Sequence, residues 1–594
     1  MQHLVMKVAS LVQLQAELHS LVVQYLHIPA ERMFAQVYTN QLQPEWYQAI
    51  YQTVRQQLPQ ITVVGSSAMG VVCHENYLDE TTVLSIFIFD SAIVTSHFAE
   101  YAPLEPNDAN APYQYGRALA EQALQSDNTD LQGIMLLSNP FVISSEELLR
   151  GINDVTQGTS IFGGMAGNNE QSDRSQIFYN AEVCSHAAVM VCFWGEQLRI
   201  QTLNYLGWVP FGNVMTVTET QGAEVLSINN LPAYQLYREF IDIDSDTEQF
   251  FENSVEFPLM LLRDGKKLAR TPISVSDNEG LNFLVPLKPG DQVQFGYGDI
   301  NTIMNEMCYS VETLRQFEPQ AIMLFSCCCR LMYLRSDCKQ LEVPLRELAP
   351  TAGFFSFGEI DTANVPHTVL NATLVAAAFS ETPPQNAALN YASTYTPFSV
   401  KPSRDLRRLQ RLMYFIERVT SQLHQTNAEL QRLAQRDSLT DLFNRRTFNA
   451  RLEQEFAFCQ EKAQPLCIMM LDVDHFKAVN DNYGHSVGDK VLIAIAEEMT
   501  HTIRQTDLIA RYGGEEFIVA LSNTTLEDAL LIAERLRHNI AAIHQTKQPD
   551  LPKVTCSIGL AQASNEQSIE QLLQQADDAL YQAKDAGRNC VRKA

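Results

Sequence analysis

No run of about 20 apolar residues, the length a bilayer-spanning helix needs, occurs in this 594-residue chain. The start also lacks a signal peptide's charged head, unbroken apolar middle and small-residue cleavage site. Both absences point to a cytoplasmic protein with no membrane span. Basic residues are scarce: 42 Lys and Arg stand against 69 Asp and Glu, a formal charge of −27. That balance argues against non-specific nucleic-acid binding and against an anionic membrane as partner. A free nucleotide stays compatible, because metal ions can supply positive charge locally. Cysteine is present but unpatterned: none of the 12 forms a CxxC pair of zinc-site type, and the one cluster is "SCCCR" at Ser326–Arg330. Three adjacent cysteines on a strand alternate faces, so they are not expected to converge on one metal. In a reducing compartment the thiols read as buried.

What is present suggests several domains, since the chain is too long for one ordinary core. The first ~380 residues alternate helical stretches with β-rich runs such as "TTVLSIFIFD", "GIMLLSNPFVI" and "AAVMVCFWG", which is α/β or α+β patterning. The opening "MQHLVMKVASLVQLQAELHSLVVQYL" carries polar residues at helical intervals and reads as an amphipathic helix. Glycine clusters punctuate the region at Val63–Val72, Thr159–Asn169 and Thr351–Ile360. They fit either close approach of backbone to a ligand or tight strand connections. A break near Thr220–Phe240 divides residues 22–220 from 221–380, and Ser380–Ser403, rich in Pro, Ser, Thr and Asn, reads as a linker.

Residues 404–436 then form a long helix in which Leu409, Leu412, Ile416, Val419, Leu423, Thr426, Leu430 and Leu433 alternate steps of three and four. That narrow stripe predicts a coiled coil and a parallel homodimer. Residues 437–594 form a separate domain with the order β-α-β-β-α-β, the ferredoxin-like arrangement.

Within it, "RYGGEEFIVAL" places two glutamates at a tight turn. Gly513 and Gly514 suit a two-residue hairpin, putting Glu515 just beyond the tip and across the ladder from Asp472, at the end of "LDV". Like charges so close raise each other's pKa unless a cation intervenes. A few oxygen ligands beside a loop suit Mg²⁺ that keeps waters and substrate phosphates as its other ligands.

"RDSLTDLFNRRTF" (Arg436–Phe448), "LDVDHFKAVNDNYGHSVGDKVL" (Leu471–Leu492), "RYGGEEF" and "YQAKDAGRN" (Tyr581–Asn589) together resemble the GGDEF domain of diguanylate cyclases, in order and spacing. The resemblance implies that Asp472, the carbonyl of Val473 and Glu515 bind two Mg²⁺ ions, with Mn²⁺ as a substitute. It implies that Asn480 and Asp489 read guanine edges with His485 near the base or ribose. Lys477, Lys584 and Arg588 would steady the triphosphate, and backbone N–H groups around His475 and Phe476 would cradle it. Glu515 or Glu516 would accept the 3′-hydroxyl proton. Two GTP would condense to cyclic di-GMP and two pyrophosphates, each domain holding one GTP, so that pairing of two domains becomes the regulated step. Asp441 departs from the family, where glycine is common, with a small backbone effect expected. No phosphodiesterase domain is expected after Ala594.

Arg504 and Asp507 form an RxxD pair five residues ahead of the turn, which in this family marks a product-inhibition site, with Arg535 as a further contact. Arginine can bind the O6/N7 edge of guanine through two hydrogen bonds, and a carboxylate can accept from its N1 and N2 donors. Earlier in the chain, "VVGSSAMGVV", "IFGGMAGNN", "AEVLSINNLPAYQLY", "FSCCCR" and "GFFSFGEI" resemble FIST N and FIST C domains. That resemblance implies a sensor of a small-molecule ligand. Some relatives bind haem, for which His74, His186 and Cys327–Cys329 are the candidate ligands here, each with a plain structural explanation. The whole reads as a cytoplasmic, homodimeric, sensor-controlled diguanylate cyclase. The alternative is a cyclic di-GMP receptor or scaffold that has lost turnover.

Overall fold

A computed structural model describes residues 1–25, 27–73, 77–78, 82–101, 110–125, 128–168, 174–244, 247–263, 265–338, 343–366, 368–383, 404–504, 506–546, 550–564 and 567–594. His74 and most of the expected linker lie outside the described residues. No described helix is long and apolar enough to cross a membrane. The chain divides into two compact units, Met1–Glu417 and Arg418–Ala594.

Among the described residues, the first unit is built on four sheets, three of mixed strand direction and an eight-stranded one that is wholly antiparallel. Met33–Thr39, Thr82–Ile88, Ala187–Trp194, Ala321–Cys327, Thr351–Ser356 and Leu374–Ser380 are buried along their whole length, as strands covered on both faces must be. Elements from either side of residue 220 share sheets. Thr351–Ser356 pairs with Val71–Val72, and Glu359–Asp361 pairs with Ile161–Met165.

Three parallel strand pairs carry the same device. Gly65, Gly163 and Gly353 each stand opposite a partner, Val37, Leu136 and Leu324, in the ladder. A Cβ at any of the three would lie 1.8–2.0 Å from that partner's carbonyl oxygen. At these positions the glycine clusters serve strand-on-strand contact.

Two expectations need correction. The opening segment is not one helix: Gln2–Val8 is a strand paired antiparallel with Thr82–Ile88, and the helix Leu11–Tyr25 follows. Its apolar residues satisfy both periods, and an open sheet edge decides in favour of the strand. The three adjacent cysteines do not alternate across a strand either. The strand ends at Cys327 and a helix, Cys328–Leu334, begins at once, so the three sulfurs lie within 4.8 Å of one another. Of the histidine candidates, His186 is half-buried and meets the ring of Tyr101 edge-on at 6.5 Å.

In the second unit, the strands Leu508–Gly513, Glu516–Ser522, Leu466–Val473 and Cys556–Gln562 lie side by side in that order, all antiparallel. With the helices Phe476–Tyr483, His485–Thr502 and Leu526–Thr546 as connections, this is the ferredoxin-like order expected. Short strands Phe443–Asn444 and Val591–Lys593 extend the two edges in parallel. Leu466–Val473 is buried at all eight positions, making it the spine of the domain. The helix Arg404–Gln435 carries Leu412, Ile416, Val419, Leu423, Leu430 and Leu433 in the open, each 39–61% exposed.

Gly353→Ala is expected to destabilise the first unit by about 1–3 kcal/mol, because backbone rather than a flexible side chain must move. Chemical denaturation of the full chain measures this, and an unchanged midpoint would refute the close-contact argument.

Candidate active site

The site grows from the end of the central strand. Asp472 is the penultimate residue of Leu466–Val473, and its ladder partners are Glu516 on one side and Ser557 on the other. Directly opposed residues on neighbouring strands share a face, so Asp472 and Glu516 are brought together. This corrects the expectation that Glu515 faces Asp472. The hairpin ladder shifts by one residue between Arg511 and Gly513, leaving Tyr512 unpaired. Its ring packs edge-on to Phe448 and lies 4.4 Å from the guanidinium of Arg445. The turn therefore consists of Gly514, with φ +48°, and Glu515. Glu515 sits in the tip, where its carbonyl accepts a 3.3 Å hydrogen bond from the Val473 amide.

Electrostatics follow from this register. Burial raises the Asp472 carboxyl above the ordinary range, opposed by Lys584, whose Nζ lies 2.8 Å from Oδ2. Burial and then the Asp472 charge raise Glu516 as well, and Glu515 adds to that repulsion. Three carboxylates share one strand end with a lysine set against them. Hard oxygen donors under mutual repulsion fit a divalent cation.

Around this cluster, His475 adopts φ +56° and caps the helix Phe476–Tyr483, with no cap bond from its own side chain. The Ala478 and Val479 amides donate to the His475 carbonyl at 2.9 and 3.3 Å, and the side chain of Lys477 is exposed. Asn480 lies on the same helix and the exposed Asp489 on the next. Asn480 packs on Gly488, the residue before Asp489: a Cβ there would stand 2.0 Å from Asn480 Oδ1. His485 opens the second helix and is exposed. At the far end of the domain chain, Gly587, Arg588 and Asn589 all have positive φ, and Arg588 lies near enough to Asp472 to lower its pKa.

Residues unread in the sequence hold this arrangement. Asp474 is buried and accepts from Thr555 Oγ1 and Ser557 Oγ, both at 2.7 Å, and from the Asn589 amide at 3.0 Å. The tight segment carrying Arg588 is thereby tied to the strand end that carries Asp472. The second carboxylate of "LDVD" was the available signal. Arg511 donates to the Gly514 carbonyl at 2.9 and 2.7 Å and pairs with Asp437 at 3.1 Å. Burial disfavours the Asp437 charge, yet bonds from Thr440 and Arg511 hold its pKa below the usual value. Nothing in the spacing of Asp437 and Arg511, 74 residues apart, marks them as partners. Asp441 has φ +55°, as a position suited to glycine would, but its carboxylate also pairs with Arg432 at 3.0 Å, an effect beyond the backbone.

On the other flank, Asp507 is buried, which raises its pKa, while the Ser522 amide bonds its Oδ1 at 3.3 Å and Arg504 stabilises its charge. Arg535 donates to the Thr502 carbonyl at 3.1 Å. Arg504, Asp507 and Arg535 are thus gathered at one helix end, with Arg504 exposed.

A family model described as "Diguanylate cyclase, GGDEF domain" matches residues 434–590. Models of the FIST N domain and the FIST C domain match residues 34–231 and 233–361. This chain carries FIST N, FIST C and GGDEF domains. Among curated relatives, diguanylate cyclase DgcP of Pseudomonas aeruginosa is 43% identical over 193 residues, 32% of this chain and 28% of its own length. Diguanylate cyclase DgcM of Escherichia coli K12 is 39% identical over 184 residues, 31% of this chain and 44% of its own. The chain spans less than half the length of these relatives. A solved structure of the coiled coil and GGDEF domain of DgcB from Caulobacter crescentus aligns with 32% of this chain and 98% of its own at 31% identity; its TM-score is 0.29.

Because Asp472 and Glu516 are both raised, the native state retains protons that the unfolded chain has released. The pair therefore costs stability as pH rises out of the ordinary carboxylate range toward neutrality. Glu516→Gln is expected to raise the melting temperature of the second unit by up to a few degrees at pH 7.5 without Mg²⁺, and to leave it nearly unchanged near pH 4. Calorimetry of the full chain at both pH values checks this, and an equal shift at the two would show that repulsion is not the cause.

Proposed function

We propose that this chain is a sensor-regulated diguanylate cyclase that condenses two GTP into cyclic di-GMP with release of two pyrophosphates. The observation that carries the reading is the Asp472–Glu516 rung, with Glu515 in the adjoining turn and a lysine opposed, in a domain matched by the cyclase family model.

In this reading Asp472, the Val473 carbonyl and the two glutamates hold Mg²⁺, which neutralises phosphate charge and favours an ionised 3′-oxygen. The chain's own groups do the rest. The amides around His475 and Phe476 would bind phosphate oxygens at a helix start, and Lys477, Lys584 and Arg588 would add charge to them. Asn480 and Asp489 hydrogen-bond the guanine edge, with His485 beside the base or ribose. Glu516, as the rung partner of Asp472, is placed to take the 3′-hydroxyl proton, and Glu515 is its competitor. Positioning the nucleotide in this way is worth more than any single new chemical group.

One domain holds one GTP, so turnover needs two chains. The exposed stripe on Arg404–Gln435 supports a parallel coiled-coil homodimer that brings two such sites together. The FIST domains would bind a small molecule and bias that pairing. Arg504, Asp507 and Arg535 would bind cyclic di-GMP and inhibit.

Purified protein incubated with GTP and Mg²⁺ is expected to form cyclic di-GMP. Asp472→Asn and Glu516→Gln should each lower kcat at least about 100-fold, the scale of lost electrostatic stabilisation. No product at any protein concentration, with cyclic di-GMP bound instead, would establish the receptor reading. Arg504→Ala should raise the product level at which turnover stalls. Gly488→Ala should raise KM for GTP about tenfold with intact folding by circular dichroism, because the added methyl displaces Asn480.

A further inference from the structure

We propose that Cys327, Cys328 and Cys329 form a three-sulfur site for a soft, thiophilic cation, monovalent copper, in the first unit. The junction creates it. Cys327 ends its strand in extended conformation and the next two residues enter a helix, so three consecutive side chains sweep round one point. Their sulfurs all lie within 4.8 Å of one another, and each residue is at most 2% exposed. Three thiolates around one ion at about 2.3 Å would stand about 4 Å apart, which needs only small side-chain rotations.

The surroundings select a soft ion. The nearby carboxyl of Glu359 is fully buried, and its oxygens are occupied by the hydroxyls of Ser356 and Thr373, each at 2.7 Å. It offers no free hard ligand, and sulfur alone favours copper(I) among biological cations. Zinc in structural sites takes four protein ligands, and the described residues present three clustered ones.

Arg330, the next residue, is fully buried but turns away to other partners: it donates through Nη1 to the Leu206 carbonyl at 3.2 Å and lies over the rings of Tyr205 and Trp208.

Cys467 and Cys192 are buried outside the cluster and serve as controls.

The test is copper content, independent of catalysis. Full-length protein from copper-supplemented cells is assayed by mass spectrometry. Reduced protein is also titrated anaerobically with copper(I) against bicinchoninate. About one copper per chain is expected, falling at least tenfold in Cys329→Ser and in Cys328→Ala, and unchanged in Cys467→Ser and Cys192→Ser. Two cluster variants guard against one that misfolds, with melting curves as the check. Wild type without copper by either route, copper retained in both cluster variants, or one zinc in place of copper would each overturn the assignment.

Discussion

Two carboxylates placed opposite one another on a single rung of a sheet are the constraint on which the candidate site depends. The strand Leu466–Val473 and its neighbour Glu516–Ser522 are apolar on both faces, with Phe517 to Leu521 all buried. The observed ladder sets Phe517 against Leu471 and Ile518 against Met470, and Asp472 thereby meets Glu516. What the core imposes, the margin then answers. Lys584 approaches from the last helix, and Asp474 ties down the segment after it. The positive potential needed at that strand end comes partly from the protein and leaves a remainder suited to a cation. An overall charge of −27 makes such local compensation the more necessary for any phosphate ligand.

Much of this was legible in the sequence because the terminal domain is locally consistent. Its strands, helices and caps agree with their own patterns. Thr525 accepts from the Asp528 amide and Ser568 forms a capping box with Gln571. The pairing of the glutamates was not legible, because one unpaired residue changes it. Tyr512 bulges from the ladder, its ring engaged by Phe448 and Arg445, and this moves the turn from Gly513–Gly514 to Gly514–Glu515. A bulge leaves no trace in a periodic reading, since it is decided by packing on the far side of the strand.

The first unit was less legible for a different reason. Its strands are buried on both faces, so their sequences are continuous apolar runs that fix neither register nor partner. Elements distant in sequence complete each other's sheets, as Val71–Val72 does for Thr351–Ser356. No local signal can announce that. The cysteine triplet failed through its boundary: the alternation rule holds within a strand, and this strand stops at the first sulfur. Glycine proved the better guide, because the three parallel pairs each need a residue without Cβ at the point of closest approach.

The link between the long helix and the turn has the polar character a switch requires. Asp437 follows the helix end by two residues, and Arg511 holds both that carboxylate and the Gly514 carbonyl. Asp441 pairs with Arg432 in the helix's last turns. Neither contact is apolar packing; the Arg432–Asp441 pair is exposed and individually weak, and the Arg511–Asp437 pair is half-buried. Stiffness comes instead from sharing: one guanidinium fixes helix exit and turn at once, so a rotation of the helix cannot be absorbed without disturbing the carbonyl beside Glu515. On the proposed reading, the chain would thus control the alignment of two half-sites through contacts strong enough to transmit a change in register and weak enough to be reset by a small ligand.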